Sequence, residues 1–299
     1  EMSLMDKNIM FETQGLTESN RILYTPSEFV KKTSFYVQEA GHLTSLSSHR
    51  SVRDKLDSYL LLQVNDGSGT ITIDGQNYHL MKGDAALIDC NRPYEHISDE
   101  EELWTLSWVH FNGSMVHEYY NMISKYCHGV MVFRFELKID GLVDELLSVL
   151  KEHKFENELK AAELLHHFLN RLLKRVMISD SKESESDFNQ IREKLNQTVT
   201  MPQKEIQKKI DALVKGCGIG RQEFFSEFEN RFGIGVDSYI EQRKLTKAKE
   251  MLRFTTQAEE DVAKSIGIND IQYFISLFYK HENCSPTEYR QCWAQWIRK

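Results

Sequence analysis

No stretch of this 299-residue sequence approaches the run of about 20 apolar residues that a membrane span requires, so no membrane partner is expected. Cysteine is sparse. The five thiols (Cys90, Cys127, Cys217, Cys284 and Cys292) are odd in number, scattered and free of any CxxC pair. That excludes a disulfide framework and a zinc ribbon, and it points to reduced thiols in a cytoplasm. Residues 1–10 lack the charged-then-apolar order of a secretion signal. An excess of positive charge is missing too. The formal net charge of −8 argues against a uniformly basic nucleic-acid coat. What is present, 40% hydrophobic and 27% charged residues, is an ordinary globular composition, long enough for about two domains.

The charge is unevenly spread. Residues 200–299 hold 16 Lys+Arg against 14 Asp+Glu, leaving 21 basic and 31 acidic residues before them. Such asymmetry suggests two halves with different partners, although a balance of +2 does not by itself indicate DNA.

Hydrophobic patterning divides the chain in the same way. From about 33 to 112 it reads as short strands. Tyr59-Leu60-Leu61-Leu62-Gln63-Val64 stops at Asn65–Gly69, and Thr70–Ile73 alternates and then turns at Asp74-Gly75, a strong hairpin signal. Tyr78–Leu80, a turn at Lys82–Asp84, Ala85–Ile88 and the aromatic-rich Leu103–Phe111 complete the series, which predicts a small antiparallel barrel or sandwich. Beyond it the period becomes helical. Leu142, Leu146, Leu147 and Leu150 share one face, as do Leu164, Leu165, Phe168, Leu169, Leu172 and Leu173. Two helices over about 140–178, joined near Phe155–Leu159, are expected to cover the barrel, to form a subunit interface, or both. The stretch 179–187 has no apolar anchor and reads as a linker. From 188 onward everything reads as helix, with breaks near 198–202, 216–220, 233–235, 267–269 and 283–286.

Two helical segments repeat one plan. Ile206, Ile210, Leu213 and Val214 precede Gly218-Ile219-Gly220, then Phe224 and Phe228; Asp261-Val262-Ala263 precede Gly267-Ile268-Asn269, then Phe274 and Phe278. Each is a short helix, a turn at glycine, and a second helix pinned by aromatics at i and i+4. This is the plan of a helix-turn-helix, whose second helix is held outward and free to enter a major groove. Between them, Tyr239–Leu252 is continuous enough to be one connecting helix. Single hairpins of this kind are common in plain helical bundles; two, about 50 residues apart, are far more specific.

The residues that follow carry a resemblance. Thr255-Thr256, Val262-Ala263, Gly267, Asp270, Tyr273-Phe274, Phe278, Lys280 and Ser285-Pro286-Thr287-Glu288-Tyr289-Arg290 resemble the AraC/XylS family of transcription activators over about 188–291. The resemblance implies an α+β chain: a cupin-like antiparallel β-barrel with a helical hairpin at 1–178, then an all-α double helix-turn-helix domain at 188–299. It also implies promoter DNA and RNA polymerase as partners, a homodimer, and no cofactor or catalysis. Groove-facing residues would be Arg221, Gln222, Phe225 and Ser226 in the first motif, and Ile271, Gln272, Tyr273 and Ser276 in the second. Glutamine suits bidentate contact with adenine, and Arg221 suits guanine or phosphate. Lys244, Lys247, Lys280 and Arg290 are expected on the phosphate backbone, which positions without reading sequence. The family's usual Arg is absent at Ser226 and Ser276, its Lys is replaced by Glu229 and Tyr279, and Gly220 stands for the usual Ser cap. Together with Glu223 and Glu227, these departures make the first recognition helix locally acidic.

The strand-rich half resembles the family's cupin-like arm through Gly67-x-Gly69, Gly75, Tyr78-x-Leu80, Gly83-Asp84, Leu87-Ile88 and Trp108-Val109-His110-Phe111-x-Gly113. A catalytic cupin would hold a metal through a His-x-His pair, an acid and a later histidine. Here His96 has no such pair, Asp54–Ser58 standing in its place and Gln63 at the acid, so no three-ligand metal site is expected. His166 and His167, adjacent on a helix, point about 100° apart and are expected at a surface or interface. Arg50, Arg53, Tyr94, His96, Trp104 and Trp108 are the candidate pocket residues for a sugar or similar small polar effector. Indole faces stack on carbohydrate C–H groups, while His and Tyr supply directional hydrogen bonds. The alternative for Trp104 and Trp108 is a place in the core; four residues apart on a strand, they should share a face. His110 reads as a structural histidine.

Overall fold

The computed structural model describes residues 10–13, 15–53, 55–129, 131–135, 137–180 and 185–294, with backbone alone at 10–13, 178–180 and 185–187. The chain divides between residues 180 and 181 into two compact units.

The first unit has three layers. A seven-stranded antiparallel sheet runs in the order β1(Met10–Thr13), β2(Thr17–Leu23), β3(Phe35–Ser45), β10(Thr105–Gly113), β5(Tyr59–Asp66), β8(Ala85–Asp89) and β11(Val132–Phe133). A four-stranded sheet, β4(Arg50–Arg53), β9(Tyr94–Ser98), β6(Ser68–Ile73) and β7(Gln76–Met81), lies against it. On the other side of the large sheet pack α2(Val116–Tyr126), α3(Ile139–Leu150) and α4(Phe155–Asp180), while α1(Glu28–Thr33) follows β2. The expected Asp74-Gly75 hairpin is present. Ile73 pairs with Gln76, and both turn residues have positive φ (51° and 76°), as the right-handed twist of a two-residue turn demands.

Strand alternation assigns the two faces of the large sheet. Leu60, Leu62, Val64, Leu106 and Trp108 face the small sheet and join Ile71, Leu80 and Tyr94 in one core. The alternate residues Tyr59, Leu61, Val109 and Phe111 face the helices and join Leu142, Leu146, Leu165, Phe168 and Leu169 in another. The leucine-rich helical pair therefore does cover the sheet. Its joint falls at 151–154, one turn earlier than expected, because Phe155–Leu159 already belong to α4.

The sheets do not close into a barrel. β10 bonds to β3 and β5, whereas β9 bonds to β4 and β6, so among the described residues no ladder crosses between sheets. Side chains fill the gap instead. The chain passes from one sheet to the other at Gly67, whose φ of +71° and contact with the Leu103 carbonyl leave no room for a Cβ. The sheet also starts earlier than residue 33. β2 escaped notice because its inward residues are Thr17 and Ser19, buried hydroxyls that give no hydrophobic alternation. Helix occupies 179–180 and 185–187 of the expected linker, and residues 181–184 lie outside the described residues.

The second unit is all helix: α5(Glu185–Asn196), α6(Gln203–Cys217), α7(Arg221–Phe232), α8(Val236–Phe254), α9(Glu259–Ser265), α10(Ile271–Glu282) and α11(Pro286–Trp293). The pairs α6/α7 and α9/α10 are the two helix-turn-helix segments. Phe224 and Phe228 are fully buried with Ile206, Ile210, Val236 and Ile240; Phe274 and Phe278 are fully buried with Leu245, Leu252, Val262 and Tyr289. α8 thus gives its first half to one core and its second half to the other. Where they meet, the Lys244 ammonium donates to the carbonyls of Met201 (2.9 Å) and Ile266. Gly267, at φ +71°, sits so close to the Met201 carbonyl that a Cβ would collide with it. α11 closes the unit with a capping box between Ser285 and Glu288.

Candidate functional site

Between the sheets of the first unit, at the β4–β9 edge, lies a cavity of about 370 Å³. Its walls come from chain segments far apart in sequence: Arg50 and Arg53 on β4, Tyr94 and His96 on β9, Leu60 and Leu62 on β5, and Leu106, Trp108 and His110 on β10. The pairing of Ser51 with His96 and of Arg53 with Tyr94 sets β4 beside β9, which brings the two arginines to the mouth. A register shift between His110 and Phe111 interrupts the β10–β3 ladder next to His110.

The charges are mostly matched. Arg50 donates Nε and Nη2 to the two carboxylate oxygens of Glu95, both at 2.6 Å, and this bond holds the Glu95 carboxyl below its usual range. Arg21 donates to Glu39 at 3.0 Å, and its guanidinium lies 5.3 Å from the Trp108 ring. Arg53 donates only to the Val52 carbonyl and makes no ion pair among the described residues. Burial pushes the His96 and His110 imidazoles down to about 4 and also lowers His49. All three are therefore neutral near pH 7, able to donate and to accept. His110 meets Ser58 Oγ at 3.0 Å, whereas His96 Nδ1 is buried with no hydrogen-bond partner among the described residues. Burial pushes the Tyr94 phenol up as well.

Five of the six expected pocket residues (Arg50, Arg53, Tyr94, His96 and Trp108) thus line one cavity. Trp104 does not. It shares the inter-sheet face with Trp108, as strand parity requires, but it is fully buried beneath Gly69, with its ring centroid 5.9 Å from that of His96. It is a core residue that backs the site. Gln63 faces the helices instead, accepting from the Ile139 amide at 3.1 Å. Sequence reasoning missed Arg21, Glu39 and His49; His110, read as a structural histidine, does hold Ser58, and it also lines the cavity one strand period from Trp108. Among the described residues, no three His, Cys, Asp or Glu side chains converge as metal ligands would. His166 and His167 are both exposed, His166 meeting the Tyr119 hydroxyl at 3.0 Å.

In the second unit, the outward side of α7 presents Gln222 and Ser226, and that of α10 presents Gln272, Tyr273, Ser276 and Lys280, all exposed. Phe225 and Ile271 are half-buried against their own cores. Arg221 is exposed but turned back onto α6, where it binds Asp211 and Gln207. Lys244 is displaced from the expected phosphate contacts because its ammonium is buried and held by two carbonyls. The neighbouring exposed cation on α8 is Arg243. Arg290 likewise faces inward, donating to the carbonyls of Leu252 and Gln257, and Lys247 pairs with Glu250. The helix starts differ. Asp270 caps α10 by accepting from the Gln272 and Tyr273 amides (2.9 and 3.1 Å), while Gly220 gives α7 no side-chain cap.

Comparison with known proteins matches residues 36–169 to the AraC-like ligand binding domain and residues 213–291 to a helix-turn-helix domain. The chain is 23% identical over 262 residues to the MmsAB operon regulatory protein of Pseudomonas aeruginosa, covering 86% of this chain and 82% of that one. It is 24% identical over 231 residues to the lactose operon transcription activator of Staphylococcus xylosus, covering 76% and 81%. Against the xylose operon regulatory protein of Escherichia coli it is 27% identical over 140 residues, covering 44% and 36%. With an AraC-like ligand-binding domain followed by a helix-turn-helix domain in one chain, the protein belongs to the AraC family of DNA-binding transcription regulators.

Proposed function

We propose that the chain is an effector-responsive regulator: the cavity of the first unit takes a small polar molecule, a sugar or a close chemical relative, and the two helix-turn-helix segments hold promoter DNA. The convergence of Arg53, Tyr94, His96, Trp108 and His110 on one cavity carries this reading. The volume suits a small ligand, the indole offers an apolar face, and the neutral imidazoles offer directional hydrogen bonds. The operon regulators named for lactose and xylose among its relatives support a carbohydrate-like effector.

On the DNA side, Gln222 and Gln272 are the base-reading candidates and Lys280 and Arg243 the backbone contacts. Glu223 and Glu229 are exposed on α7, so the second motif supplies more of the affinity than the first. The protein works as a homodimer in the cytoplasm, engages RNA polymerase at the promoter and performs no catalysis. Effector binding switches it only by favouring one conformational state over another. The deciding experiment selects bound DNA from a random pool at fixed salt, with and without candidate sugars. A recovered motif whose enrichment changes with one sugar is the expected result. No enriched motif under any condition overturns the reading.

A further inference from the structure

The cavity contains more charge than a neutral sugar needs. Three guanidiniums surround it, and two are matched: Arg21 by Glu39 at 3.0 Å, and Arg50 by Glu95 through two bonds of 2.6 Å. Arg53 has no acidic partner among the described residues, yet it lines the same cavity as the half-buried His96 and His110. Its charge reaches both imidazoles, since it helps hold His96 and His110 deprotonated. The site therefore has one cation in surplus, neutral hydrogen-bonding groups beneath it and an apolar floor of Leu60, Leu62 and Leu106.

From this we infer that the effector is a small monocarboxylate bearing hydroxyl groups, a sugar acid or hydroxy acid, whose carboxylate pairs with Arg53 while its hydroxyls meet the Tyr94 and His96 wall of the same cavity. The inference rests on the cavity being the effector site and adds the ligand's charge. A planar carboxylate matches the guanidinium fork in shape and cancels the single surplus charge. A phosphate monoester, carrying close to two negative charges, would leave one unbalanced beside Glu39, whose arginine is already engaged. A neutral sugar would leave Arg53 without a counter-charge. His96 Nδ1 is a second, independent vacancy. It is enclosed by protein and lacks a partner among the described residues, while the His96 ring itself lines the cavity.

The test is titration calorimetry with matched probes on the full chain: galacturonate against galactose, gluconate against glucose, and glucose 6-phosphate as the dianion. At least one carboxylate should bind about tenfold tighter than its neutral parent and than the phosphate. Arg53→Gln should abolish that preference while leaving the unliganded melting temperature unchanged, since the side chain is exposed, and Arg53→Lys should retain part of it. Neutral parents binding as tightly as the acids, or a preference untouched by Arg53→Gln, would overturn the charge assignment alone. The cavity reading would then survive if Trp108→Ala still weakened whatever binds. Failure of every probe to bind would overturn both.

Discussion

Acid should weaken the first unit through two residues, His96 and His110. Both are neutral when folded, with titration pushed from an ordinary 6.5 down to about 4 by burial first, then by the Arg53 charge and, for His96, by the neighbouring histidines. The unfolded chain binds their protons near pH 6.5 and the folded chain only near 4. Stability from this source is complete above 6.5, falls as pH drops through that window, and levels off below about 4. At pH 5 each imidazole alone would cost on the order of 2 kcal/mol. The pair costs less than twice that, because the two histidines influence each other. Urea unfolding at pH 7 and pH 5, followed by tryptophan fluorescence, measures the loss. Comparison with the His96→Gln/His110→Gln variant cancels the carboxylates, which titrate in both proteins. Wild type should lose about 2–4 kcal/mol more than the variant on acidification. Equal losses would refute the argument, because they would mean that burial does not keep these rings deprotonated.

Three further outcomes follow from particular contacts. Lys244→Met strands the Met201 and Ile266 carbonyls and should destabilise the second unit by about 2–3 kcal/mol in thermal unfolding, with weaker binding to all DNA sequences alike; retained stability would return Lys244 to the phosphate contacts. Gly69→Ala drives a methyl into the Trp104 ring and should cost about 1–3 kcal/mol in the melting of the first unit, an effect absent if that packing is loose. Gln222→Ala and Gln272→Ala should each relax base preference at one position by about 1–3 kcal/mol in competition binding, the second more strongly; a uniform loss over all sequences would place these side chains on phosphate instead.

Period and punctuation made most of the architecture legible. Asp74-Gly75 marked its hairpin, the paired phenylalanines marked both helix-turn-helix segments, and the leucine stripes marked the helices that cover the sheet. β2 stayed hidden because it buries Thr17 and Ser19. Alternation left barrel and sandwich both open, because it reveals which face is inward but not which strand bonds to which, and the closed barrel that the resemblance implied is not formed. The cavity was largely anticipated around Tyr94, His96 and Trp108. Arg21 and Glu39 were not, since a salt bridge between strands distant in sequence leaves no local pattern. Lys244 was misplaced because a lysine on an amphipathic helix reads as solvated. Only the fold reveals the two carbonyls that hold it.

If α7 and α10 both enter DNA grooves as proposed, the joint of Gly267, Met201 and Lys244 makes them a ruler of fixed length and phase. α8, about 28 Å long at 1.5 Å per residue, belongs to both cores, so no hinge in it could absorb a mismatch. Inserting one base pair between half-sites rotates the second by about 34° and shifts it by about 3.4 Å, and the protein cannot follow. The adjustment falls on the DNA, through twist and bend. Base pairs between the half-sites, touched by no side chain, then influence binding through how readily they deform. A mis-spaced promoter would then bind more weakly by the energy needed to deform it.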